Sequence, residues 1–228
     1  MKNLAIIPAR GGSKRIPHKN IKEFLGKPII AYSIEVALKS GFFDEVMVST
    51  DDEQIAAIAR KYGARVPFMR SAKTSSDFAT TRDVLNEVVN EYQKRGLEFD
   101  AICCIYATAP LIAVDDIAEA YNILSQSDFV CVYPVVQFSY PIWRCLDVAE
   151  DGSMKRHWPE FENSRSQDLP KEYHDSGTFY WHRLEDDKIA DGKLGAIIMP
   201  EDRVQDIDTE TDWKLAEMKY QLLNGKEA

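Results

Sequence analysis

Short apolar runs alternate with amphipathic segments along the first 136 residues, and this alternation constrains the fold more than any other feature. Runs at 4–7, 45–49, 65–69, 100–106 and 128–135 read as strands. Between them lie helical stretches at 29–38, 83–94 and 114–124, and one running from Thr50-Asp51-Asp52-Glu53, which has capping-box spacing, to Tyr62. In the 83–94 stretch the apolar positions are 84, 85, 88 and 89, the spacing of one helix face. Pro28 and Gly41 flank the first helix as a start and a stop. Strands that alternate with helices make a parallel sheet covered on both faces. The expected fold is therefore a doubly wound, mostly parallel α/β sheet.

The alternation breaks at 137–175, a stretch that holds Pro141, Trp143, Trp158, Pro159 and Pro170 among polar residues. It reads as an insertion that leaves the main sheet, inside a single domain spanning 1–228. Strands resume at 178–182 and 196–199, and a helix covers 209–223. In such sheets ligands bind outside the carboxyl ends of the strands. The loops that matter are then 8–20, 50–52, 70–81, 106–113 and those near 176 and 206.

Charge sharpens this. The chain of 228 residues carries a net charge of −9, which disfavours a broad nucleic-acid surface. Yet residues 1–30 hold seven Lys/Arg (2, 10, 14, 15, 19, 22 and 27) against the single acid Glu23. A cationic stretch on an anionic protein suggests a local anionic ligand. No apolar run approaches the ~18 residues a bilayer span requires. The apolar part of the N-terminus is too short for a signal peptide, so a cytoplasmic location without membrane contact is expected. Cys103, Cys104, Cys131 and Cys145 form no C-x-x-C pair and read as buried free thiols, with Cys103 and Cys104 on opposite faces of a strand. Four histidines without metal-ligand spacing give a histidine-built metal site little support.

The first loop carries the strongest chemistry. It reads Pro8-Ala9-Arg10-Gly11-Gly12-Ser13-Lys14-Arg15-Ile16-Pro17-His18-Lys19-Asn20. Paired glycines let backbone N–H groups approach an anion closely, and Arg10 and Lys14 add charge on either side. A polyphosphate needs both. The loop matches neither the Walker A pattern nor G-x-G-x-x-G, which demotes kinases, ATPases and nicotinamide enzymes. A plain glycine-rich strand-to-helix turn would explain Gly11 and Gly12 but not the four Lys/Arg side chains around them. His174-Asp175-Ser176 gives little support to a hydrolase triad, which is defined by geometry rather than adjacency, and there is no G-x-S-x-G elbow.

The opening Ile7-Pro8-Ala9-Arg10-Gly11-Gly12-Ser13-Lys14 with Pro17 and Lys19-Asn20 resembles the acylneuraminate cytidylyltransferase family. Val48-Ser49-Thr50-Asp51, Arg70, Ser76-Asp77, Pro110-Leu111, Ser176-Gly177-Thr178-Phe179-Tyr180 and Asp206-Ile207-Asp208-Thr209 follow in that family's order, so the resemblance covers nearly the whole chain. It implies a Rossmann-like nucleotidyltransferase fold. It also implies attack of the anomeric hydroxyl of a nine-carbon acidic sugar on the α-phosphorus of CTP, with pyrophosphate as the leaving group. By this resemblance Arg10 and Lys14 are catalytic and hold the triphosphate, helped by the amides of Gly11, Gly12 and Ser13. Asn20, Arg70 and Thr81 meet the nucleotide. Asp206 and Asp208, two apart on one side of a strand, hold Mg²⁺. Asp208 or Thr209 capping the following helix with Asp212 is the competing reading of that segment, and capping is at least as good a reading for Asp51.

Tyr106, Arg165, Ser176 and Tyr180 are the sugar-binding candidates, with Arg165 a partner for the carboxylate. Surface exposure for Arg165 and core packing for Tyr180 are the bland readings. Relatives that activate N-acetylneuraminate carry Gln-Pro-Thr-Ser-Pro-Leu-Arg where this chain has Tyr106-Ala107-Thr108-Ala109-Pro110-Leu111-Ile112. Trading amide and charge for aromatic and apolar groups suits a less hydroxylated sugar. The segment is similar to the pseudaminic acid branch. The insertion resembles the family's dimerisation arm, which implies a homodimer. A nucleotide-binding regulatory module without turnover and a generic α/β oxidoreductase are the readings outside this family.

Overall fold

The first apolar run becomes the strand around which the sheet is built. In the computed structural model, which describes residues 1–13 and 15–225, β1 spans Asn3–Pro8 and buries Leu4, Ala5, Ile6 and Ile7 completely. A hairpin of β2 (Glu23–Phe24) and β3 (Lys27–Pro28) follows the first loop. α1 (Ile29–Ser40) then ends at Gly41, whose φ of 70° lets the chain turn out of the helix. Next come β4 (Glu45–Ser49), α2 (Glu53–Lys61), α3 (Ala72–Ser75), α4 (Thr81–Gln93), β5 (Ala101–Ile105), α5 (Val114–Gln126) and β6 (Cys131–Gln137). The remainder comprises β7 (Leu146–Val148), β8 (Met154–Arg156), β9 (Tyr173–Asp175), β10 (Phe179–Glu185), β11 (Lys188–Ile189), β12 (Leu194–Met199) and α6 (Glu210–Asn224).

The main sheet has the order β12-β6-β10-β5-β1-β4. β4, β1 and β5 run parallel, as do β6 and β12, whereas β10 lies antiparallel between β5 and β6. Side chains alternate across this sheet. Ala5, Ile7, Val48, Cys103 and Ile105 pack on the face covered by α1, α2 and α5, and Leu4, Ile6, Met47, Ile102 and Cys104 on the face covered by α4. The adjacent Cys103 and Cys104 thus serve opposite cores. Cys131 is buried as well, but Cys145 is exposed because it leads into the solvent-facing hairpin β7–β8.

Local expectations fail at three points, each for a physical reason. Residues 65–69 form no strand: Arg65 makes one parallel bridge to Met47, and Pro67, lacking an N–H, cannot extend a ladder. Asp52, not Thr50, caps α2, its carboxylate accepting from the amides of Gln54 and Ile55, while the Thr50 hydroxyl accepts from the Asp52 amide. Residues 206–208 are not strand either. Ile207 is fully buried all the same, so its two neighbouring aspartates are left toward the surface.

Residues 138–172 lie off the main sheet, and β9 returns to it by pairing antiparallel with β6. Trp143 packs on Trp158 and Phe161 at ring distances of 5.2 and 5.3 Å and donates its indole N–H to the Pro170 carbonyl. The hairpin beyond exposes Leu146, Val148 and Met154. A third core joins distant parts of the chain: Ile16 of the first loop, Phe24 and Ile29, then Ile207 and Trp213 of α6. Phe24, Tyr32, Trp213 and Tyr220 meet edge to face there, the arrangement that aromatic quadrupoles favour.

Candidate active site

The first loop leaves β1 at its carboxyl end and bends sharply at Gly11, whose amide donates to Asp51 Oδ1 at 3.0 Å. A side chain at this bend would have to displace Asp52. A Cβ on Gly11 would sit 2.7 Å from Asp52 Oδ2, whereas one on Gly12 would meet nothing within 4 Å. Asp51 and Asp52 therefore do different work: the second caps α2 and the first ties the end of β4 to the loop. The Ser13 amide donates to the Gly11 carbonyl, so the amides of Gly11 and Ser13, both expected phosphate donors, are engaged within the protein. Asn20 Nδ2 donates to the Arg10 carbonyl at 2.9 Å and closes the loop on itself. Lys14 lies outside the described residues.

A cleft of about 490 Å³ opens above this loop. Of the expected residues, Arg10, Ser13, Asn20, Arg70, Thr81 and Tyr106 line it, joined by Arg15, Lys19 and Asp77. Arg70 is buried. Its Nε donates to Ser49 Oγ and its Nη2 to the Ser49 carbonyl, which fixes the guanidinium plane. Burial lowers its pKa, against the opposing pull of the nearby Asp51 and Glu87 carboxylates. An arginine remains charged through such a shift. Glu87 on α4 accepts from the Ser71 amide and from the hydroxyls of Ser71 and Thr74, which pins the segment after Arg70 against α4. Arg10 meets Asp77 at 2.7 Å across the cleft.

Asp208 reaches the same loop from the other end of the chain. Its carboxylate lies 2.8 Å from Arg15 and 3.4 Å from Lys19, and Lys19 Nζ also donates to the Ile207 carbonyl at 2.7 Å. Helix capping does not consume it, because Thr209 is the N-cap of α6 and Asp212 completes the box. The Asp206 carboxyl is pushed above its usual range, first by desolvation and then by the charge of Asp208. The carboxylate pair and the cationic loop therefore form one connected region.

The sugar candidates divide. Tyr106 faces the cleft, and Tyr180 packs against it with ring centroids 5.5 Å apart. Ser176 is buried and shares a hydrogen bond with Thr178, so its hydroxyl is held inside the protein. Arg165 stands in the off-sheet segment and does not line the cleft. His174 contacts the Asp175 carbonyl rather than a serine, so no catalytic triad forms here. Asp77, part of the Ser76-Asp77 segment that follows the family's order, lines the cleft without having been a candidate, and Asp175 and Tyr133 contact Tyr180 behind it, where only the fold brings them.

A cationic loop at the carboxyl edge of a mostly parallel sheet, with Asp208 paired to it, is the setting in which the comparisons find a nucleotidyltransferase. Residues 4–173 match the family model described as cytidylyltransferase. The chain is 44% identical over 226 residues, 97% of each sequence, to a pseudaminic acid cytidylyltransferase of Campylobacter jejuni subsp. jejuni serotype O:2. It is 33% identical to N-acylneuraminate cytidylyltransferase A of Danio rerio, over 94% of this chain and 50% of that one. A solved CMP:2-keto-3-deoxy-manno-octonic acid synthetase complexed with CTP shares the fold with a TM-score of 0.68 at 19% identity, covering 100% of both chains. This chain belongs to the cytidylyltransferase family.

Proposed function

We propose that the enzyme transfers CMP from CTP to the anomeric hydroxyl of pseudaminic acid. The observation that carries this reading is the joining of Asp208 to Arg15 and Lys19, which places a carboxylate pair beside the cationic cleft. The 44% identity to a pseudaminic acid cytidylyltransferase supports the choice of sugar. In the reaction the anomeric oxygen forms a bond to the α-phosphorus and the bond to the bridging oxygen of pyrophosphate breaks, that oxygen keeping the electron pair. The hydroxyl proton leaves to solvent or a base. Little covalent work falls to the protein, so positioning and charge stabilisation dominate.

Arg10 and Lys14 hold the triphosphate in this reading, and Arg10 exchanges its contact with Asp77 for phosphate oxygens. Gly12 offers its amide, and Gly11 and Ser13 shape the bend. Arg70 and Thr81 meet the nucleotide, with Asn20 keeping the loop closed. Asp206 and Asp208 flank the buried Ile207, and Asp206 feels the charge of Asp208. Two mutually repelling hard oxygen donors suit a divalent cation, so the residues fit Mg²⁺. Among the described residues no cluster of three His, Cys, Asp or Glu side chains forms, so substrate oxygens and water would complete its shell. When bound, Mg²⁺ supplies charge neutralisation at the phosphates and acidifies the attacking hydroxyl.

Tyr106 and Tyr180 wall the sugar side. The off-sheet segment, with Leu146, Val148 and Met154 exposed on its hairpin, is the proposed dimerisation arm of a homodimer, and Arg165 on it would serve the partner's sugar pocket. No helix among the described residues is long and apolar enough to cross a membrane. We place the reaction in the cytoplasm. The test is pyrophosphate release from CTP and Mg²⁺ with a panel of sugar acids. Pseudaminate is expected to give the highest kcat/KM. A higher value for N-acetylneuraminate, legionaminate or 3-deoxy-manno-octulosonate would reassign the substrate, and CTP binding without pyrophosphate release for any sugar would make this a binding module.

A further inference from the structure

The most exposed large apolar side chain among the described residues stands on the rim of the cleft. Phe78 is 95% exposed, whereas the next in order, Val148 and Met154 on the hairpin β7–β8, reach 69%. A single exposed apolar residue is ordinary on a protein surface. Phe78 differs in where it is held. It lies between α3 and α4, and its neighbours Ser76, Asp77, Ala79, Thr80 and Thr81 all line the cleft.

The segment is braced on both sides. Before it, the hydroxyls of Ser71 and Thr74 donate to Glu87 of α4, and Ser76 Oγ donates to the Lys73 carbonyl at 3.0 Å. After it, the Ala79 amide donates to the Ser76 carbonyl at 3.3 Å, and Thr80 and Asp83 form the capping box that starts α4. Asp77 reaches across to Arg10 at 2.7 Å. With these neighbours engaged, Phe78 sits at the tip of a short, tied turn that presents its ring to solvent at the mouth of the cleft.

That turn spans the length of the proposed nucleotide. Asp77 touches Arg10, which holds the triphosphate in the reading above, and Thr80 directly precedes Thr81, which meets the nucleotide farther along. The lining suits the polar parts of such a ligand: Arg10, Arg15 and Lys19 match charge, and Ser13 and Asn20 match hydroxyls and phosphate oxygens. The flat faces of the base need an apolar partner. Tyr106, the aromatic residue that lines the cleft, packs against Tyr180 and belongs to the sugar side, which leaves the Phe78 ring. We propose that Phe78 stacks on the pyrimidine base of CTP and closes the solvent side of the cleft over the nucleoside. This rests on the reading of the cleft as a cytidylyltransferase site and adds to it an apolar contact with the base. Stacking tolerates any base, because each has a π-face. Phe78 therefore supplies affinity for the nucleoside and leaves the choice of cytosine to hydrogen-bonding groups.

Charge and stacking are separable by experiment. The cationic groups grip a triphosphate whether or not a base is attached, whereas Phe78 acts only when one is. Calorimetric titration of the full-length protein with CTP and with inorganic tripolyphosphate, both with Mg²⁺, reads the two apart. Phe78→Ala is expected to weaken CTP binding by about 5–100-fold, the range that loss of a base–aromatic contact gives, with tripolyphosphate binding as in the wild type. Phe78→Tyr keeps a ring and should keep the CTP affinity; Phe78→Leu keeps apolar bulk without a ring and should lose most of it. The side chain is exposed, so all three variants should melt with the wild type. In Phe78→Trp, CTP is expected to quench tryptophan emission beyond the quenching seen in the wild type, and tripolyphosphate is not. Unchanged CTP affinity in Phe78→Ala, an equal loss for both ligands, wild-type affinity in Phe78→Leu or no added quenching in Phe78→Trp would each overturn the proposal and leave the cytidylyltransferase reading standing. A wild type that binds no CTP would remove that reading, and the stacking contact with it.

Discussion

Lys19 donates its Nζ to the carbonyl oxygen of Ile207 at 2.7 Å, across 188 residues of sequence. The same ammonium lies 3.4 Å from the carboxylate of Asp208. One side chain of the first loop thus fixes both the backbone and the charge of the segment that faces it. The buried Ile16 and Ile207 share a core beneath it, so a polar clasp and an apolar clasp act on the same two segments.

Asp208→Ala is expected to leave the fold intact and to lower kcat/KM by about 10²–10³-fold, the scale of losing one preorganised electrostatic contact. Its contacts with Arg15 and Lys19 are part-exposed, and such pairs contribute about 0–1 kcal/mol to stability. Thermal melts near wild type beside a pyrophosphate assay check this. Near-full activity would remove Asp208 from the site, as would full activity of the wild type in excess EDTA.

Gly11→Ala and Gly12→Ala differ by one methyl at neighbouring positions and are expected to behave differently. At Gly11 the new Cβ would press on the carboxylate that caps α2. Loss of a cap costs about 1 kcal/mol, and the displaced loop should bind CTP more weakly. At Gly12 the methyl meets open space, so stability should hold within about 0.5 kcal/mol. Urea denaturation of the pair decides it; equal destabilisation of both would contradict the close approach to Asp52.

Ile207→Ala empties a fully buried position, a change that costs about 2–5 kcal/mol in comparable cores. Activity should fall further than stability alone explains, because Asp206 and Asp208 lose the anchor between them. Assays well below the melting temperature separate the two effects. Ile207→Val, costing about 0.5–1.5 kcal/mol, should recover most of the activity.

His182 on β10 gives a pH dependence. Burial, and then the charge of Arg82, lowers its pKa from 6.5 to about 4. The unfolded chain therefore binds this proton first as pH falls, so stability is full above about pH 6.5 and declines toward pH 4. The whole shift corresponds to about 3 kcal/mol. Denaturation midpoints for wild type and His182→Gln should converge on acidification across this window, and parallel curves would refute the assignment.

Much of this architecture was legible from local pattern. The strand at Glu45–Ser49 and the helix beginning at Ile29 follow directly from apolar spacing and from the Pro28 and Gly41 signals. What was not legible depends on the return path of the chain. β10 runs antiparallel because the long off-sheet segment delivers it from the opposite end, and nothing in Phe179–Glu185 encodes that direction. The cationic loop suggested an anionic ligand. That Lys19 and Arg15 would grip Asp208, or that Asp175 would hold Tyr180, is a property of tertiary approach. Cys145 shows the reverse limit: a thiol expected in the interior is carried outward by the hairpin it precedes.

The third core has a temporal consequence. Its members at Ile16 and Trp213 meet only after most of the polypeptide lies between them, and closing so long a loop costs entropy that no local contact returns. Ile16 and Phe24 therefore lack their partners on α6 until the intervening chain has been made and folded.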